Sequence, residues 1–159
     1  MFIVNHAAAG IIVGSLSDNP VLAFILGFLS HFPLDMIPHG DRGIEQKAKR
    51  DGKLRPFFIW LAVDLVALVI LLPFGFSHHM FAKPWIAAWG AFGGVAPDML
   101  VGIYEYFATI KHHAKPPLAW FQKIHEFNHN RIITGIDLTF GHGVIYQIAA
   151  LAIFVKFWH

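Results

Sequence analysis

The stretch FFIWLAVDLVALVILLPFGF, residues 57–76, limits what this chain can fold into more than any other part of it. A helix needs about 20 apolar residues to cross the hydrocarbon core of a bilayer, and this run supplies that length with a single charge, Asp64. A helix satisfies its own backbone groups where no water is available, so a chain built around such a segment is expected to be all-α. The composition agrees. Apolar residues make up 56% of the chain and charged residues 14%, against about 25% charged in an ordinary soluble domain. The mean hydropathy is +0.55. At 159 residues, one domain is expected, covering 1–159.

The remaining segments extend this reading. Residues 2–16, FIVNHAAAGIIVGSL, form a short helix rich in small residues, which let helices approach closely in a bilayer. SDNP at 17–20 is a turn and a helix start, and a helix over 20–37 follows, with a kink expected at Pro33. Residues 40–56 are a polar loop. WIAAWGAFGGVAPDMLVGIYEYF, 85–107, reads as a span interrupted at Gly93, Gly94 and Pro97, with Pro97 opening a second half-helix. LAWFQKIHEFNHNRI, 118–132, is amphipathic and too polar to span, and 138–158 is the last span. The expected architecture is a polytopic integral membrane helical bundle with about four to five membrane helices and one cytoplasmic amphipathic helix. MFIVNHAAAG lacks the basic n-region of a signal peptide. The absence of cysteine excludes disulfides and thiolate metal sites.

Basic residues orient the bundle. Loop 40–56 holds Arg42, Lys47, Lys49, Arg50, Lys53 and Arg55, and residues 108–137 hold Lys111, Lys115, Lys123 and Arg131. Only Lys83 and Lys156 fall on the other side. By the positive-inside rule both basic regions are cytoplasmic, in an inner or plasma membrane. The net charge of +2 is small and clustered beside the spans, which speaks to topology and not to nucleic acid.

This topology puts the costly polar residues at one depth. His6, His31, Asp35, His39, Asp41, Asp64, Asp98, His125, His129 and His142 all fall toward the cytoplasmic side, whereas His78, His79 and His159 fall outside as interfacial residues. Ionisable groups inside a membrane mark a functional site by default. In SHFPLDMIPHGD, 30–41, His31 and Asp35 are spaced i,i+4 and share a helix face, and His39 follows Pro38, where the helix should end. Imidazole and carboxylate together suit a divalent metal: zinc first, with manganese or iron as alternatives. The plainer reading is a helix C-terminus with capping side chains. For Asp64 the plain alternative is a buried hydrogen bond to another helix. For Asp98, in GGVAPDM, it is a cap at a packing kink. HEFNH, 125–129, matches the HExxH pattern in which two His bind zinc and a Glu acts as base, here His125, His129 and Glu126.

The combination of HAAAGIIVG, GFLSHFPLD, GGVAPDM and HEFNH resembles the YdjM-like membrane-bound metal-dependent hydrolases, in a permuted motif order. These are related to zinc-dependent phospholipases C, and HFPLDMIPH resembles the His and Asp element of those enzymes. The resemblance implies a helical fold, a hydrolytic activity, and His6, His31, Asp35, Asp98, His125 and His129 as ligands.

The expected function is that of a metal-dependent hydrolase at the cytoplasmic interface. Its substrate would be a phosphoester, lipid-like or a headgroup, with Asp41, Asp64 or Glu126 as base and Arg42 or Arg131 on a phosphate. Membrane lipids are the expected partners, and a homo-oligomer is allowed. The rivals are a metal or proton transporter and an intramembrane metalloprotease of the HExxH type. A scaffold subunit would explain the helices but not the clustered acids.

Overall fold

The computed structural model describes residues 1–40, 55–131 and 138–158, apart from the side chains of 55–57 and 129–131. Among the described residues every regular element is helical. In chain order these are α1 (Ile3–Gly14), α2 (Pro20–Met36), α3 (Arg55–Ser77), α4 (Pro84–Glu105), α5 (Ala119–Arg131) and α6 (Phe140–Lys156). A π-helical turn, Tyr106–Ile110, extends α4.

The element boundaries follow local chemistry. Asn19 caps α2 by accepting from the amides of Val21 and Leu22, and Pro20 occupies the first turn, where no N–H is needed. α2 ends at Ile37, ahead of Pro38, because a residue before proline avoids the helical region. α1 lacks a side-chain cap of its own. Its first amides reach across the fold instead: Ile3 and Val4 donate to the Asp64 carboxylate at 2.5 and 3.0 Å, and Phe2 donates to Gln147 Oε1 at 2.5 Å.

α1, α2 and α4 form the tight centre of the molecule. A Cβ placed on Gly10 would strike the Gly90 carbonyl, one on Gly93 the Phe24 carbonyl, and one on Gly94 the His6 carbonyl. Glycine is required at these positions because the backbones themselves touch. The contacts also set the directions. α2 and α4 run parallel and α1 runs against them, which brings the N-terminus of α1 beside the C-terminal part of α2 and the middle of α4. The interruption expected at 93–99 is corrected here, for α4 is one helix from Pro84 to Glu105. Gly93 and Gly94 serve close packing, not a break, and Pro97 is accommodated inside the helix, where its missing N–H leaves the Gly93 carbonyl without its usual donor. α2 likewise continues through Pro33.

The packing is inverted relative to a soluble domain. Among the described residues the largest fully buried side chains are His6, His31, Gln147, Asn5 and Asp35, together with Pro97. Large apolar side chains point outward from α3 (Val63, Val66, Val69, Ile70) and from α6 (Ile145, Ile148, Ile153). α3 and α4 are long and apolar enough to cross a membrane, over Phe58–Ser77 and Pro84–Ile110. α1, α2 and α6 are apolar but shorter. An apolar cluster of Ala7, Ala8, Ile11, Phe81, Ala87, Ala91 and Trp158 fills the end of the bundle away from the buried polar residues.

Candidate metal centre

Four side chains from three helices converge where α2, α4 and α5 meet: His31 and Asp35 from α2, Asp98 from α4 and His125 from α5. One ligand atom from each lies within 4.8 Å of the other three. His31 Nε2 is 3.1 Å from Asp35 Oδ2 and 3.1 Å from His125 Nε2, and His125 Nε2 is 3.2 Å from Asp35 Oδ2. Asp98 Oδ1 stands slightly farther off, at 3.7 and 3.9 Å from the two nitrogens. A tetrahedral ion with ligands at about 2.0–2.1 Å has ligand-to-ligand edges of about 3.3 Å. The observed separations bracket that value, so this donor set fits a small divalent ion.

The hydrogen bonds around His31 sharpen the case. Its Nδ1 lies 3.0 Å from the Gly94 carbonyl, which can only accept, so Nδ1 carries the proton. In the neutral ring the Nε2 lone pair then faces a carboxylate oxygen and a second imidazole nitrogen. Three electron-rich atoms at about 3 Å repel one another unless positive charge, a proton or a metal ion, lies among them. Fixing one ring nitrogen on a carbonyl so that the other is presented outward is the usual way a metal-binding histidine is oriented.

Asp35 is held from both sides. Its second oxygen, Oδ1, receives His6 Nε2 at 3.0 Å and the Met1 amine at 2.9 Å. The His6 ring stacks on His31 with centroids 3.9 Å apart. His6 Nδ1 and Asp98 Oδ2 are buried and have no hydrogen-bond partner among the described residues. Asp98 is the most open of the four, with 22% of its side chain exposed, so the site opens on the Asp98 side, between α4 and α5.

The other residues singled out in the sequence take different places. His6 touches Asp35 and the His31 ring and stands outside the four-ligand set. His39 donates from Nδ1 to the Ile37 carbonyl at 2.6 Å and turns Nε2 to the Met1 amine. Asp64 has both oxygens on the first turn of α1 and lies outside the cluster. Glu126 is exposed and accepts from Gln122 Nε2 at 3.2 Å along its own helix. His142 is exposed and pairs with Thr139 Oγ1 at 2.8 Å. Asp41, and the side chains of His129 and Arg131, lie outside the described residues.

Two supporting residues escaped the sequence reading. Gln147 accepts from Phe2, donates to the His39 carbonyl at 3.0 Å and so ties both ends of the polar region to α6. Asn128 donates to the Phe32 carbonyl at 2.8 Å and pins α5 to α2 beside His125. The signal for Gln147 was present, as an amide alone in the apolar run GVIYQIAALAIFV. Asn128 had a weaker one, its i+3 spacing from His125. Comparison with protein-family models, with curated proteins and with solved structures finds no match to this chain.

Proposed function

We propose that this chain is a membrane-embedded, metal-dependent hydrolase acting on a phosphoester, lipid-like or a headgroup, near the cytoplasmic face of an inner or plasma membrane. The observation that carries this reading is the convergence of His31, Asp35, Asp98 and His125 at ligand spacing inside a bundle whose exterior is apolar. Two imidazoles and two carboxylates favour zinc, with manganese or iron next, over magnesium or calcium. A divalent ion held there would supply Lewis acidity toward a phosphoryl oxygen and a lowered pKa for a bound water. The motifs shared with YdjM-like hydrolases point the same way.

The chain's own groups divide the remaining work. His31 and His125 present Nε2 toward the centre, the former fixed by Gly94. His6 holds the Asp35 carboxylate in place. Asp98 is the most open member and keeps one oxygen without a partner, so it is the acid best placed to take a proton from an attacking water. Asp64, spent on backbone amides, is a poorer base in this reading, and so is Glu126, turned outward. The outward Glu126 also favours a phosphoesterase over an HExxH protease, whose Glu must face the ion. The buried polar residues gather at one end of the bundle and an apolar cluster fills the other. That arrangement suits a site opening to one surface better than a transport pathway.

The test is elemental analysis of the purified protein, followed by turnover of a panel of generic phosphoesters with and without a chelator. Bound zinc, manganese or iron, and turnover lost to the chelator and restored by the metal, are expected. A protein that takes up none of these ions, or that stays inactive on every phosphoester when loaded, overturns the proposal.

A further inference from the structure

α5 has two faces. Phe121, Gln122, His125 and Asn128 are buried against α2 and α4. Trp120, Ile124 and Phe127 follow one another at i, i+4 and i+7, within about 60° of arc at 100° per residue. They are 64%, 52% and 57% exposed. The rest of the helix is polar (Gln122, Lys123, Glu126, Asn128), so this stripe is not part of a generally apolar segment.

The surroundings of the stripe indicate what covers it. Tyr106 and Ile110, also exposed, lie on the π-helical turn just before it in the chain. The connecting residues carry Lys111, His112, His113 and Lys115, all exposed, and Lys123 is exposed one position before Ile124. Large apolar side chains that include a tryptophan, bordered by lysines, have the chemistry of a bilayer boundary: rings and aliphatic groups enter the acyl edge while ammonium groups reach lipid phosphates. A second copy meeting the same face about a two-fold axis would set Lys111, Lys115 and Lys123 against their own images.

We propose that α5 is an interfacial helix that seats Trp120, Ile124 and Phe127 in the headgroup boundary of an anionic bilayer, with Lys111, Lys115 and Lys123 on the phosphates. This rests on the membrane reading given above and deepens it. The helix that carries His125 on its inner face is thereby held at headgroup depth. The opening beside Asp98 then draws its substrate from the bilayer, as a phosphorylated lipid headgroup, and not from bulk water.

The chain has no cysteine, so each engineered cysteine carries the only label. Four variants suffice: Ile124→Cys and Phe127→Cys in the stripe, Glu126→Cys on the polar side of α5, and Val66→Cys on α3. Each full-length variant is labelled with bimane and reconstituted into vesicles of phosphatidylglycerol and phosphatidylcholine. Fluorescence is then quenched either by aqueous iodide or by lipids brominated near the headgroup or deep in the acyl chain. Labels at 124 and 127 are expected to lose iodide quenching and to be quenched by the shallow bromines. The label at 126 should stay open to iodide, and that at 66 should respond to acyl-chain bromines. Equal iodide quenching at 124, 126 and 127, with the label at 66 still in lipid, overturns the interfacial helix and leaves the membrane reading standing. Iodide access at 66 overturns both. Shielding at 124 and 127 without bromine quenching means that protein covers the stripe, and it also overturns the proposal.

Discussion

Asp35 is the residue on which the site turns. It is 2% exposed, and its two oxygens face different partners: Oδ2 the ligand nitrogens of His31 and His125, Oδ1 His6 and the Met1 amine. Asp35→Asn keeps the shape but removes the charge and offers one acceptor where two were used. Metal content, measured by elemental analysis, is expected to fall at least about tenfold while helical circular dichroism is kept. A variant that retains its metal and loses only thermal stability would reduce Asp35 to a structural cap. Glu126 makes the opposite case. It is exposed on the same helix as His125, about 100° around from it. Glu126→Gln is therefore expected to leave phosphoester turnover within about twofold of the parent. Cleavage of an unfolded membrane peptide that vanishes in this variant would instead identify a metalloprotease.

At the scale of the element, glycine decides how close the helices come and therefore whether the ligands meet. Gly94 packs against the His6 carbonyl while its own carbonyl orients His31. Gly94→Ala must push α1 away from α4 and is expected to cost about 1–3 kcal/mol in a detergent unfolding titration, and to weaken metal binding with it. Gly102, on the same helix, has nothing within 4 Å of the place a Cβ would take. Gly102→Ala should be neutral, or stabilise by up to about 1 kcal/mol through helix propensity. The contrast also shows what could be read in advance. Helix positions were legible because apolar runs, Asn19-Pro20 and Ile37-Pro38 are strong local signals. The state of 93–99 was not, because Gly-Gly and Pro weaken a helix locally, and only the backbones of α1 and α2 lying on Gly90, Gly93 and Gly94 show why that weakness does not become a break. Asp64 is similar: a lone acid in an apolar span marks something buried, but only the fold reveals that it holds the uncapped start of α1.

Across the whole molecule, the polar residues were grouped in the sequence by depth alone, a one-dimensional property. Depth singled out His31, Asp35, Asp98 and His125, but it equally included His6, His39, Asp64 and His142. What separates the two groups is rotation about the helix axes, which the apolar exteriors of α3 and α6 leave almost unencoded. The same depth argument carries a test of topology. Ser15, exposed at the end of α1, and Ala114, exposed after the π-helical turn, lie toward opposite ends of α4. If α3 and α4 cross a bilayer with the basic regions on one side, single cysteines at these positions face different compartments. In sealed vesicles of known orientation, an impermeant maleimide should modify Ser15→Cys from the outer side only and Ala114→Cys from the cytoplasmic side only. Modification of both from one side would mean that α4 does not cross. The metal site, midway along α4 at Asp98 and flanked by α5, would then have to be reached from water and not from lipid.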